Sequence, residues 1–246
     1  RIEPYMLERA SSQPLYSQAR DVLLSRLNAG EYKVHEQIPS ENELCKEFGV
    51  SRVTIRSVLT ELVREGRLYR IQGKGTYVAE PKFTASSTSY VGIREQLEQQ
   101  GYDVATSVIV SEIIECPVEI AKTLALDIGA QVYHIRRLRT VKGAPFSIHD
   151  SYIPAALCEG LEQHDFCHTQ LCTILSQNYH LVRAHVSEFL ESTSALAEEA
   201  ELLHVRRGYP LLRLCDVISD QTGCVFEYST VYFPGDRIQI KLQYDL

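Results

Sequence analysis

Residues 39 to 78 constrain the fold of this chain more than any other stretch. Ser40 and Glu43 have the Ser-x-x-Glu spacing of a capping box, which marks the start of a helix. Leu44 and Phe48 give that helix a buried side, and Gly49 suits the left-handed backbone that ends it in a sharp turn. Ser51 can cap a second helix, in which Ile55, Val58, Leu59 and Leu62 recur at i, i+3, i+4 and i+7 as one apolar stripe. Gly66 closes this helix, and Leu68 to Val78 offers two short strands around Gln72-Gly73-Lys74-Gly75. Two helices at a tight turn followed by a glycine-tipped hairpin predict a winged helix-turn-helix. A nucleotide-binding phosphate loop is excluded, since no Gly-Lys-Ser/Thr ending and no following helix are present.

The side of the second helix opposite its apolar stripe is polar. Arg52 and Arg56 stand one turn apart at its N-terminal end, the part of a recognition helix that meets base edges in the major groove. A guanidinium can pair two donors with guanine O6 and N7, worth roughly 1–3 kcal/mol of base discrimination. Ser51 and Thr54 add hydroxyls, and Lys74 at the hairpin tip, between Gly73 and Gly75, suits a phosphate. The bland alternative for two such arginines is a solvated helix face.

A length of 246 residues exceeds what a winged helix needs and predicts a second, mid-sized domain. The net charge of −7 divides unevenly. Residues 1–82 carry 13 Lys and Arg against 11 Asp and Glu, and the rest carries 12 against 21, so the acid belongs to the second domain. No apolar run approaches the ~20 residues of a membrane span, and no signal peptide is evident, so a cytoplasmic location is the expectation. The seven cysteines form no Cys-x-x-Cys pair and are read as free thiols, with a redox switch among Cys158, Cys167 and Cys172 as the alternative. His164 and His168 lack a convincing metal set, so neither metal nor cofactor is expected.

Residues 81–90 are rich in Ser and Thr and read as a linker, after an N-terminal extension at 1–13 and a DNA-binding domain at 14–80. Over 91–246 the pattern alternates strands with short helices, joined by hairpin turns at 142–145 and 220–223. An antiparallel sheet with helices on it, and an α+β chain overall, are expected. Arg137 and Arg139 fall on one face of a predicted strand, where two guanidiniums are costly to bury without an anion. Pairing with some of the domain's own acids is the alternative.

Pro-Ser-Glu at 39–41, Val-Ser-Arg-x-Thr-x-Arg at 50–56 and Arg-x-x-Gly-x-Gly-Thr at 70–76 resemble the GntR family of bacterial transcription regulators, over about residues 14–80. The resemblance implies DNA contact by Arg52, Thr54, Arg56, Gly73, Lys74 and Gly75, supported by Ser40, Glu41 and Ser51. Asn42 stands where one type of member has a further arginine. Residues 90–244 look like the UTRA effector domain of the HutC branch, with a chorismate-lyase-like fold. That likeness rests on Arg137-Leu138-Arg139, Gly143, Pro145, Tyr152-Ile153-Pro154, Glu227-Tyr228 and Gly235-Asp236.

By this resemblance Arg137, Arg139 and Thr169 would hold a phosphate or carboxylate, and Glu227 and Tyr228 would close over the ligand; Arg94, in Gly92-Ile93-Arg94-Glu95 where the family's anion loop is missing, would add a third charge or else be a solvated helix arginine. His149 takes the place of a glutamate common in amino-sugar sensors, which disfavours an N-acetylglucosamine phosphate. The implied function is a homodimeric repressor released from an inverted-repeat operator by a small anionic effector. The alternatives are an enzyme of chorismate-lyase-like fold joined to a DNA-binding domain, and a DNA-binding protein without an effector.

Overall fold

The computed structural model describes residue 7, residues 12–86 and residues 92–243. The chain divides into two compact units, Arg1–Lys82 and Phe83–Leu246.

In the first unit, α1 (Leu15–Asn28), α2 (Glu41–Phe48) and α3 (Arg52–Arg64) precede a hairpin of β1 (Leu68–Ile71) and β2 (Gly75–Val78). The start of α2 is held reciprocally. The Glu43 amide donates to Ser40 Oγ at 3.3 Å, and the Ser40 amide donates to Glu43 Oε2 at 2.8 Å. Gly49 closes the helix with φ 66°, the left-handed geometry that turns the chain into α3. Ser51 then caps α3, accepting the Thr54 amide at 3.2 Å. The stripe of Ile55, Val58, Leu59 and Leu62 is fully buried, against Ala19 and Leu23 of α1 and Leu44 and Phe48 of α2. At roughly 1.5–3 kcal/mol for each large apolar side chain buried, this stripe fixes which face of α3 is left outside. The hairpin pairs Leu68 with Val78 through Ile71 with Gly75, and Ile38 is drawn beside β2 by its amide bond to the Thr76 carbonyl at 3.0 Å.

The second unit is built on an antiparallel sheet in the spatial order β4-β5-β6-β9-β8-β7. These strands are β4 (Val104–Glu115), β5 (Gln131–Val141), β6 (Ala144–Pro154), β7 (His185–Ser194), β8 (Pro210–Ser219) and β9 (Val225–Pro234). The β5–β6 hairpin turns through Lys142 and Gly143, both at positive φ, as a two-residue hairpin requires. Helices α4 (Ile93–Gln99) and α6 (Leu171–Tyr179) accompany one set of sheet side chains, α5 (Val118–Thr123) and α7 (Ala197–Leu202) the other.

The expected linker is corrected in part. Phe83–Ser86 is a strand, β3, running parallel to β10 (Ile238–Lys241). Phe83 and Ala85 alternate inward into the core with Leu97 and Phe233, so apolar residues two apart override the Ser/Thr-rich composition. The remaining linker residues 87–90, and most of the extension at 1–13, lie outside the described residues. Helix α5 ends at Thr123, and Ala125 just beyond it takes φ 53°. No described helix is long and apolar enough to cross a membrane.

Candidate DNA-binding surface and charged cavity

The unburied side of α3 carries the two arginines singled out from the sequence. Their side chains are 65% exposed at Arg52 and 66% at Arg56. Glu41, at the first turn of α2, sits beneath them: its carboxylate is 3.9 Å from Arg52 Nη2, 3.4 Å from Arg56 Nε and 3.9 Å from Arg70 Nη2. Arg70 on β1 also donates to Thr60 Oγ1 at 3.2 Å. One carboxylate therefore gathers three guanidiniums from the second helix and the hairpin. Arg70 was quoted as motif but not proposed as a contact, and Val53, 76% exposed beside Arg52, gave no signal because an apolar residue in a helix reads as core.

Ser40, Ser51 and Thr54 act locally. Ser40 is taken up by its capping box, and the Ser51 and Thr54 hydroxyls lie 2.9 Å apart at the start of α3. At the hairpin tip Gly73 has φ 76° and Gly75 φ 142°, which leaves Lys74 exposed. Gln37 buttresses this tip, donating from Nε2 to the Lys74 carbonyl at 2.9 Å. A Cβ on Gly75 would stand 2.4 Å from that Nε2 and displace the Gln37 side chain from the tip, and the backbone angle itself favours glycine.

In the second unit, side chains from β5, β6, β9, β8 and β7 line a cavity of about 480 Å³. Register places them in rows. Arg137 faces His149, which faces Val231, which faces Leu214; one step along, Ser151 faces Ser229, Asp216 and Glu188 in turn. Arg137 and Arg139 are 6% and 8% exposed, and each keeps an Nε without a hydrogen-bond partner. Arg137 donates only from Nη2, to Ser151 Oγ at 3.0 Å.

Their neighbour Arg136, pointing to the other face, shows what a structural arginine does here. It grips Asp150 with Nε at 2.7 Å and Nη2 at 3.0 Å, and it also bonds Glu198 of α7. That is complete pairing, and Arg137 and Arg139 lack it.

Burial pushes the Arg139 guanidinium down to about 9, with the charges of Arg137 and Arg94 adding to the effect, and burial lowers Arg137 as well. His149, between Ser147 Oγ at 2.8 Å and both arginines, is held far below the ordinary imidazole range by burial first and then by their charge, so it is neutral. Burial raises Glu227, against the pull of Arg137. Asp216 is pushed up to about 7 by burial and then by Glu188 and Glu227, with Arg183 opposing. Cations outnumber the facing carboxylate, Glu227, at one end of the cavity, and carboxylates are crowded at the other.

Of the seven effector residues expected from the sequence, Arg137, Arg139, His149 and Glu227 line the cavity. Three do not, and each is a correction. Tyr228 follows Glu227 on a strand and so must face the opposite side; it meets Tyr152 and accepts from Arg213 Nη2 at 3.4 Å. Arg94 is turned to Glu98 at 2.8 Å and to the Cys167 carbonyl at 3.2 Å, so it acts on Arg139 only through its charge. Thr169 is exposed in the turn before α6, its amide bonded to the Asp165 carbonyl. The sequence reading missed Ser151, Glu188 and Asp216, whose common face depends on strand pairing that local pattern does not reveal, and Arg183, which precedes β7.

The seven cysteines are free thiols. His164 bonds the Tyr179 hydroxyl at 3.1 Å and His168 bonds Asp165 at 2.7 Å; among the described residues no His, Cys, Asp and Glu group is placed to hold a metal.

Comparison with known proteins gives a family match for each unit. Residues 15–78 match the model described as bacterial regulatory proteins, gntR family, and residues 99–239 match the UTRA domain. The HTH-type transcriptional repressor NagR of Bacillus subtilis is 29% identical over 231 residues, 94% of this chain and 95% of that protein. The histidine utilization repressor of Pseudomonas putida is 34% identical over 202 residues, covering 81% of this chain and 79% of its own. The crystal structure of PhnF from Mycobacterium smegmatis superposes with a TM-score of 0.67 at 24% identity, covering 92% of this chain and 99% of that one; at that identity the likeness speaks for the fold.

Proposed function

The chain belongs to the GntR family of bacterial regulatory proteins, in the branch whose second domain is a UTRA domain, and from that premise we propose how its residues divide the work of a ligand-controlled repressor. It is a transcriptional repressor of that family, and its relatives' names mark it as a regulator, not an enzyme. In the reading put forward here, Arg52 and Arg56 reach base edges from the N-terminal end of α3, with Glu41 setting their direction. Arg70 and Lys74 meet phosphates from the hairpin. Two copies read an inverted repeat, and the second domain supplies both the dimer contact and the effector cavity.

The observation that carries the effector reading is the pair Arg137 and Arg139, more than nine-tenths buried with unpartnered Nε atoms at one end of a cavity. Two buried guanidiniums with no carboxylate bonded to them are costly, and an oxyanion that fits their forks lowers that cost. A carboxylate or phosphate group is therefore the anchoring end of the effector. It can change DNA affinity only by as much as its own affinity differs between DNA-competent and incompetent arrangements, so release requires tighter binding to the latter.

The test uses the full chain on operator fragments selected from random duplex. Inorganic phosphate, alkyl phosphates and alkyl carboxylates are screened for a shift in melting midpoint, and positives for release of the operator. Arg137→Ala and Arg139→Ala should bind operator like the parent and fail to release it. A variant that still releases normally would refute the role given to these arginines.

A further inference from the structure

We infer that the effector is zwitterionic: besides the oxyanion held at Arg137 and Arg139 it carries a cationic nitrogen, received at the other end of the same cavity by Asp216 with Glu188. This rests on the reading of the cavity as the effector site and adds the chemistry of its second end.

Three guanidiniums line the cavity, from Arg137, Arg139 and Arg183, and three carboxyl groups, from Glu188, Asp216 and Glu227. His185 also lines it, and His149 is neutral. Counted with every carboxyl ionised, as Asp216 becomes once a cation faces it, and with the histidines left out, the lining sums to zero. A ligand of pure negative charge would leave its buried end with a net charge to be desolvated, whereas a molecule with one charge of each sign keeps the sum at zero.

The two signs are segregated along the sheet: Arg137 and Arg139 stand on β5, while Asp216 and Glu188 stand on β8 and β7 and face one another across that pair of strands. From β5 to β8 is three strand spacings, roughly 14 Å between backbones. Glu227, on β9 between them, acts on both ends: its charge favours the ionised form of Arg137 and raises Asp216. Arg183 offsets part of the acid at the far end. Asp216 nevertheless keeps Oδ1 buried and without a hydrogen-bond partner. An orphaned guanidinium nitrogen at one end and an orphaned carboxylate oxygen at the other call for complementary partners, and one elongated ligand supplies both.

The floor between the two ends is apolar. Val231 and Leu214 continue the row begun by Arg137 and His149, and Ile218 lies beside Asp216's own row. An apolar floor suits a short methylene spacer, so the chemical class is an amino acid or aminoalkyl phosphate whose nitrogen and oxyanion are several bonds apart.

Matched probes separate this proposal from the reading it rests on. Full-length protein is titrated calorimetrically with 4-aminobutyl phosphate, its N-acetyl derivative and butyl phosphate, and with 6-aminohexanoate and hexanoate. In whichever oxyanion series binds, the free amine should bind at least ten-fold tighter than its neutral or N-acetylated counterpart. Asp216→Asn should bring that ratio close to one, and Glu188→Gln should reduce it, each with folding checked by circular dichroism. If the amine and desamino compounds bind alike, the zwitterion is wrong while the oxyanion site stands. If no member of either series binds, both readings fall. A ten-fold preference that survives both substitutions would remove Asp216 and Glu188 from the site and overturn the assignment.

Discussion

Glu41 of α2 holds Arg56 of α3, with carboxylate Oε1 3.4 Å from guanidinium Nε, and the same oxygen lies 3.9 Å from Arg70 on the hairpin. The Glu41 side chain is 23% exposed and the arginines far more, so each pair is worth about 0–1 kcal/mol and adds little to stability. Its consequence lies in direction. A long arginine side chain anchored at Nε presents its two terminal nitrogens outward as a fork, the geometry a guanine edge accepts.

Glu41→Gln is therefore expected to leave the melting midpoint within a degree or two of the parent. Random-DNA affinity should rise, because a negative charge facing the phosphates is gone, while operator affinity falls through loss of arginine alignment. The ratio of the two dissociation constants, measured at one salt concentration, should drop several-fold. An unchanged ratio would mean that Glu41 does not orient the fork.

Local chemistry made the first unit legible. A capping box, a left-handed glycine and a 3.6-residue stripe each act within one or two turns, so Ser40, Gly49, Ser51 and Ile55 could be placed by spacing alone. The second unit was legible in element type and less so in contact. Glu227 and Tyr228 were grouped because they are adjacent in sequence, yet a strand sends adjacent side chains to opposite faces. Asp216 and Glu188 meet only through the β7–β8 register, and β3 finds β10 across most of the domain, a pairing no window of a few residues contains.

The hairpin tip separates charge from shape. Lys74→Ala should weaken operator and random duplex by the same factor and reduce the salt dependence of log Kd by about one unit of slope, the signature of one lost phosphate contact. Gly75→Ala keeps the charge but drives a methyl group into Gln37 Nε2, so it should weaken binding while the lysine remains available to the phosphates. Salt titrations of the two variants side by side check this. Equal slopes in Lys74→Ala and the parent would take the lysine off the DNA.

Arg139→Met exchanges a buried charge for an apolar chain of similar length. Replacing a buried, poorly compensated charge by a well-packed apolar residue is often neutral or stabilising by about 1–4 kcal/mol. Without ligand, the urea midpoint of the transition reporting the second domain should stay level or rise, and stabilisation by any oxyanion effector should vanish. A variant destabilised by more than about 2 kcal/mol without ligand would show that the guanidinium holds the fold together and does not wait for an anion.

Asp216 gives the second domain a pH dependence of definite sign. Its carboxyl is raised from the ordinary 3.8 to about 7, so the folded state holds the proton more tightly than the unfolded chain. That preference contributes stability fully below pH 3.8 and loses it as pH rises toward 7, by up to on the order of 4 kcal/mol from linkage. The groups facing it are Glu188 and Glu227, which raise it, and Arg183 and Ser229, which lower it. Asp216→Asn removes the titrating group, so urea midpoints measured between pH 5 and pH 8 should fall for the parent and stay flatter for the variant. A cationic nitrogen placed against this carboxyl would draw its proton off. Calorimetry of 4-aminobutyl phosphate near pH 6.5 in buffers of different ionisation enthalpy should then report proton release from the parent and less from Asp216→Asn. Identical pH profiles in the two proteins would show that another group is responsible.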